Sequence, residues 1–393
     1  MADKPSTFLS YAFRPFFLFN GLFAMLVMAL WTMTLHGAGP ASLPADPLMW
    51  HGHEMLVGFA MAAIAGFVLT AVATWTDRPA LSGSLLGWLV AAWLVGRCAM
   101  LFGGLLPAWM VGLLDLIFPV LLFILVGREI VGGGSRRNYP IIGITVLLAL
   151  LNLVYHLGAG QWIPGADRIA VYLFIHIVLL LITVIAGRIV PNFSANWLRA
   201  RGETRLPINN TLVDRATIAA TVITGIAASI APVSAITGFL AAFAAFVHGL
   251  RLSRWRGLAT TKEPLLFVLH VAYLWLPIGY ALTACSVFGW LFPPTAALHA
   301  LTMGGVGGMV LAVTTRVALA HTGRPLHAAR LIVIAYCVFT TAVLIRVLGP
   351  VVESSSLALI DLSALGWIVT FAIFSWVYWP VLTRPRVDET QGP

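Results

Sequence analysis

The chain has 393 residues, 60% of them hydrophobic and only 9% charged, with a mean hydropathy of +0.95. Soluble domains carry roughly 25% charged residues, so this composition excludes a water-soluble globular protein and makes lipid the solvent. The formal net charge of +9 does not indicate nucleic acid, because the basic residues sit in short loops between apolar runs, a pattern that sets membrane orientation.

A spanning helix needs about 20 mostly apolar residues, and about twelve such runs follow one another along the chain. Lys4 and Arg14 precede the first, 17–36, which reads as a retained helix rather than a cleaved signal. The second, 50–74, opens with Trp50-His51-Gly52-His53-Glu54. The third, 84–103, carries Arg97, and the fourth, 108–127, carries Asp115. The fifth, 139–157, ends at His156; the sixth, 168–189, holds His176. Runs seven and eight are 214–231 and 234–250. The ninth, 265–289, contains His270 and the tenth, 295–316, contains His299. Arg346 lies in the eleventh, 328–349, and Asp361 in the twelfth, 357–381. Alternating ten-residue segments of a transmembrane barrel are absent. The expected fold is therefore all-α, integral to the membrane, one polytopic domain over 1–393.

Alternate loops hold the arginines: Arg78; Arg128, Arg136 and Arg137; Arg188, Arg199, Arg201 and Arg205; Arg251, Arg254, Arg256 and Lys262; Arg316 and Arg324; then Arg384 and Arg386 in the tail. The intervening loops carry almost none, so both termini are expected on the cytoplasmic side. The longest loop, roughly 190–213, falls on that side too. Cys98, Cys285 and Cys337 are far apart and make neither a disulfide nor a thiolate metal pattern.

An internal repeat is visible at an offset of 246, which takes His53 to His299, Gly58 to Gly304, Thr76 to Thr322, Arg78 to Arg324 and Pro79 to Pro325. His176 lies midway, 123 from each histidine. Histidines on spans two, six and ten would then mark three four-helix units, about 17–127, 139–250 and 265–381, in a pseudo-threefold arrangement.

Ionisable groups inside a bilayer are costly and usually mark a site. His51, His53, His156, His176 and His299 all fall in the outer half of their spans. Singly, each is most simply a core histidine; together in one leaflet they point to a metal or haem site, since neutral imidazole binds copper, iron and zinc. His51 and His53, if helical, point about 200° apart, so they would serve different neighbours. Arg97 and Arg346 could bind haem propionates or snorkel to the outer interface. Glu54, Asp115 and Asp361 could relay protons. Glu54 adjoins the histidine pair and is the preferred proton donor, whereas Asp115 could simply pair with an arginine. On the inner side, His270 and His321 could form a second metal site or a quinone contact. Gly304, Gly305, Gly307 and Gly308 make a smooth helix face suited to close packing. No phosphate loop, dinucleotide fingerprint or nucleophile elbow competes.

Several segments together make a resemblance. Phe13-Arg14-Pro15-Phe16-Phe17, Trp50-His51-Gly52-His53-Glu54-Met55, Asn152-Leu153-Val154-Tyr155-His156, Gly187-Arg188-Ile189-Val190-Pro191-Asn192-Phe193, Glu263-Pro264-Leu265 with His270, His299-Ala300-Leu301-Thr302 and His321-Thr322-Gly323-Arg324-Pro325 resemble the NnrS family of bacterial membrane proteins. The one departure is Gly52, where the family pattern leads one to expect alanine. The resemblance implies a haem- and copper-containing protein of the bacterial inner membrane, linked to nitric oxide and nitrosative stress. A more distant likeness, to haem–copper oxidases and nitric oxide reductases, would put haem b between His53 and His299. Copper would then be held by some of His51, His156 and His176. The implied activity is reduction of nitric oxide to N₂O with quinol-derived electrons. A non-catalytic protein that binds nitric oxide or handles dinitrosyl-iron species is the alternative, and a metal or small-solute transporter the second.

Overall fold

The computed structural model describes residues 6–352 and 357–387. Its regular structure is entirely helical, with no strand among the described residues. Among the described residues, twelve helices are long and apolar enough to cross a membrane: α1 Phe13–Leu35, α2 Pro47–Thr76, α3 Gly83–Leu101, α4 Ala108–Gly132, α5 Arg136–Ala159, α6 Ala166–Arg199, α7 Thr211–Ile230, α8 Ala235–Ser253, α9 Pro264–Val287, α10 Pro294–His321, α11 Arg330–Val352 and α12 Leu357–Thr383. Each expected run falls on one of them. The protein is a multi-pass membrane protein.

The longest loop is shorter than its polarity implied. Helix α6 continues through Pro191 to Arg199, where a loop from about 190 was expected. Proline inside a membrane helix is tolerated because neighbouring groups satisfy the freed backbone, and α4, α9 and α12 also carry one, at Pro119, Pro277 and Pro380. Helix α8 shows the converse of burial. Ile236, Phe239, Phe243 and Phe246 recur at helical spacing and are all at least half exposed, a stripe that water would penalise and lipid welcomes.

The chain divides into two compact units. The first comprises Met1–Phe174, Val317–Pro325 and Phe371–Pro393; the second comprises Ile175–Arg316 and Leu326–Thr370. Within the first unit, one end gathers the start of α1, the end of α12 and several basic loops. Arg14 donates to the carbonyls of Leu382 and Arg384 at 3.0 and 2.7 Å, which ties the start of α1 to the end of α12. The Phe13 amide donates to Thr70 Oγ1 near the end of α2, and Arg78 just beyond α2 pairs with Glu129 near the end of α4 at 2.7 Å. The Val387 amide reaches the Thr322 carbonyl after α10. Five helix ends expected on one side by their arginines therefore do share one end of the unit. At the opposite end the 36–46 loop meets the turn after α3, where Gly104 N–H donates to the Ser42 carbonyl at 2.8 Å.

Helices α2 and α10 are the most enclosed of the twelve, with 83% and 72% of their central stretches buried. Both begin at a proline in the first turn, where the missing N–H costs nothing. In α2, Asp46 caps the first turn by accepting from the Leu48 and Met49 amides at 3.0 Å each. Both helices then widen into a π segment, Glu54–Ala60 in α2 and Ala300–Gly307 in α10. Each segment starts directly after a histidine, His53 or His299, and 300 − 54 = 246, the offset of the sequence repeat. The helix ends match as well. Thr76 Oγ1 bonds the Val72 carbonyl and Thr322 Oγ1 the Ala318 carbonyl; Asp77 and Gly323 then take left-handed backbone, at φ 52° and 68°.

The expected orientation can be checked with single cysteines in a chain whose native cysteines are replaced by serine. Glu203→Cys should react with an impermeant maleimide only after the cytoplasmic face is opened, and Gln161→Cys should react in intact cells; the reverse pattern would invert the topology.

Candidate metal centre

The chemistry-bearing residues of the first unit converge from four helices. His53 and Glu54 lie about 10 Å along α2 from Pro47, Arg97 sits in the last turns of α3, Asp115 in the second turn of α4, and Asn152 and His156 near the end of α5. His156 and Asn152 are four residues apart and so share one helix face. All six side chains are buried, from fully enclosed Asp115 and Asn152 to 6% exposed for Arg97.

Two glycines make the approach of these helices geometrically necessary. A Cβ on Gly96 would stand 2.7 Å from Asp115 Oδ1 and 3.3 Å from its Cα, so α3 and α4 touch beside Arg97. A Cβ on Gly112 would lie 3.1 Å from His156 Cβ, so α5 packs directly over the turn before Asp115.

The hydrogen bonds form one closed network. Asp115 Oδ2 receives Asn152 Nδ2 at 2.8 Å, His156 Nε2 at 2.9 Å and His53 Nε2 at 3.1 Å. Its other oxygen is bound by Arg97, whose second terminal nitrogen grips Glu54. Glu54 Oε1 in turn accepts from His53 Nδ1 at 2.9 Å, and His53 Nε2 also faces Asn152 Oδ1 at 2.8 Å. Both nitrogens of His53 thus meet acceptor oxygens, an arrangement an imidazolium satisfies. Charges then balance: Arg97 and His53 carry +2, Glu54 and Asp115 carry −2. Tyr155 stacks on the His53 ring with centroids 4.3 Å apart, and His156 stands edge-on at 5.4 Å.

The same atoms form a donor set for a metal ion. One ligand atom each from His53, Asp115 and His156 lies within 4.8 Å of the others, all buried. A four-coordinate ion with bonds near 2.1 Å holds its ligands about 3.4 Å apart, a small expansion of the observed contacts. Glu54 on His53 Nδ1 would fix the tautomer that leaves Nε2 for the metal, the usual outer partner of a metal-binding imidazole. Haem does not fit this cluster as folded. The adjoining hollow has a volume of about 10 Å³, room for one water-sized molecule, against roughly 300–1,000 Å³ for an organic cofactor pocket.

The other expected site residues have different surroundings. His51 stacks on Trp31 with centroids 4.4 Å apart, turned away from His53 as its helical spacing required. His176, Arg346 and His299 belong to the second unit. His176 packs against Gly225 and stands 6.4 Å from the Tyr280 ring; His299 Nδ1 bonds the Thr295 carbonyl at 2.8 Å; Arg346 is half-buried in α11. His270 and His321 fall in different units. His270 Nε2 meets Ser194 Oγ at 2.9 Å, and the His321 ring lies 5.8 Å from that of Phe13. Asn152 and Tyr155 were not singled out from the sequence as site residues. Their spacing from His156 was the signal that could have found them.

A buried carboxylate–arginine–histidine cluster among the spanning helices of the first unit defines a polytopic membrane protein with a candidate metal centre. The NnrS protein family matches residues 7–386, nearly the whole chain, and the chain belongs to that family. Membership suggests a membrane protein related to nitric oxide and associated with metal and haem. No curated protein matches.

Arg97→Leu should destabilise the protein by about 3–5 kcal/mol, because it leaves two buried carboxylates facing one imidazolium. Adding Glu54→Leu restores charge balance and should recover part of that loss, measured as the thermal unfolding midpoint in detergent; an equal or greater loss in the double variant would refute the charge accounting. Gly52→Ala should be neutral or stabilising by about 0.5–1 kcal/mol, since its Cβ would meet only Val171, at 3.5 Å.

Proposed function

We propose that this chain is a metal-loaded protein of the bacterial inner membrane that acts on nitric oxide at the His53–Asp115–His156 cluster. The observation that carries the reading is the convergence of two imidazoles and a carboxylate inside the membrane-spanning bundle, with Glu54 and Arg97 holding them from behind. Copper is the metal this donor set favours, because imidazole nitrogen suits it and affinity for divalent first-row ions peaks there. Copper bound there would supply an open coordination position and one-electron chemistry for nitric oxide.

The reaction proposed is 2 NO + 2 e⁻ + 2 H⁺ → N₂O + H₂O, with electrons from a membrane quinol. The chain's own part is positional and acid–base. Asp115 and His156 hold the ion in place, and Asn152 orients the Asp115 carboxylate. Glu54 holds a proton at His53 Nδ1 and keeps Nε2 turned toward the site. Arg97 bridges both carboxylates at a depth where unpaired charge is costly. Haem b, which the resemblance implies, has no role at this cluster.

Purified protein should contain near-stoichiometric copper, and His53→Ala and His156→Ala should each lose it while remaining folded. N₂O formation from nitric oxide and a quinol analogue, lost in the same variants, would support turnover. Stoichiometric nitric oxide binding without N₂O would leave a binding protein instead. Retention of copper in both variants would overturn the site.

A further inference from the structure

The hollow beside the cluster has walls unlike the cluster itself. Leu56, Val57, Leu151, Ala170, Val171 and Phe174 line it, and His53, Asn152 and Tyr155 close its polar end. Helices α2, α5 and the start of α6 all contribute, and every one of these residues lies in the first unit. Val57 and Ala170 are 1% exposed and Phe174 is 3% exposed, while Leu151 is half-buried, so packed side chains form most of the wall and the space is partly open.

A buried water needs two to four polar partners. Here the polar atoms of His53 and Asn152 are already committed to Glu54, Asp115 and each other. Tyr155 is the one further polar residue of the lining, short of the two partners a water needs, so the hollow offers mainly apolar contact, and a small cavity lined this way favours an apolar guest over water. A diatomic molecule is about as wide as water, has almost no polarity to lose, and partitions into lipid, from which this space would be filled.

We propose that this hollow is a docking site for one neutral diatomic molecule, held against the His53–Asn152 edge of the cluster. Val57, Ala170 and Val171 set its size. The proposal deepens the reading above, since nitric oxide would be the guest delivered to the metal. The docking step itself does not need the metal. A molecule held here has already been freed of solvent and lies next to the ligand edge, which turns a collision from lipid into a positioned encounter.

The test uses dissolved oxygen as a paramagnetic diatomic probe on the metal-free protein, in detergent, with ¹³C-labelled methyl groups. Under a few atmospheres of O₂, the methyl resonances of Val57, 1% exposed, should relax at least several-fold faster than those of Leu122 and Val126, both 0% exposed in the same unit without facing the hollow. Equal relaxation of the two sets would overturn the proposal. Ala170→Leu fills the space from α6, which carries none of the metal ligands. In that variant the enhancement should vanish. In metal-loaded protein its nitric oxide association rate should fall at least tenfold at unchanged metal content. An association rate within twofold of the parent would refute docking as the route. A metal-free parent would defeat the copper assignment and leave the O₂ measurement fully readable. If Ala170→Leu fails to fold, the relaxation contrast in the parent decides alone.

Discussion

Everything in the first unit depends on one arginine held between two carboxylates. Arg97 bridges Glu54 of α2 and Asp115 of α4, and through them orders both histidines. In a low-dielectric interior such a bridge is strong, but removing either side leaves a buried charge whose desolvation was already incurred. The arrangement is therefore better read as a device for fixing geometry than as a source of net stability. It holds the carboxylate oxygens still, and those oxygens in turn decide which way two imidazole rings face. The close approach that permits it comes from glycine at 96 and 112, where any side chain would displace Asp115 or His156.

The helix that supplies His53 and Glu54 is not regular. A π segment inserts extra backbone per turn and rotates everything downstream relative to an ideal helix. In α2 this change begins at Glu54, so residues up to His53 follow the register set by the Asp46 cap and Pro47, and residues after it follow another. Both faces can then be useful at once: His53 and Glu54 serve the cluster, while Leu56 and Val57 line the hollow next to it. Local distortion of this kind is costly unless neighbours fix it, and α2 is the most enclosed helix of the twelve.

How much of this was legible beforehand differs from residue to residue. The spans were readable because hydrophobic length is imposed by the bilayer. The shared end of Arg14, Arg78, Thr322 and Arg384 agrees with loop charges that could be counted by eye. His53 and His156 stood out because imidazole is rare and expensive in lipid, and they do meet. Asp115 was weighed for proton relay or an arginine partner, and it does pair with Arg97; its central place, accepting from four side chains, was not legible. That depends on the α3–α4–α5 packing, for which no local signal exists. Asn152 was quoted only as part of a resembling segment, because a single amide in an apolar helix has no distinctive price. The π segments were invisible too, since no residue type demands them. The extension of α6 to Arg199 was missed because polar residues after Pro191 read as loop, although a helix leaving the bilayer can continue into water.

The repeat at 246 gains weight from features that sequence comparison alone could not supply. Two helices that share a histidine, a following π segment and a left-handed end stabilised by a threonine have more in common than five matching letters. The same offset also relates Asp115 to Asp361. Yet the copies differ where the charge network is made. Glu54 corresponds to Ala300 and Arg97 to Val343, and the nearest arginine, Arg346, is one turn further along α11. The offset therefore does not carry the Glu54 and Arg97 positions of the first network over to the helices around His299. Helix α6 carries His176 without any π segment, so the shared backbone device relates α2 to α10 specifically. The shared backbone geometry of α2 and α10 does not carry a shared chemistry: Arg97 and Glu54 complete a charge network beside His53, whereas His299 Nδ1 turns to the Thr295 carbonyl at 2.8 Å.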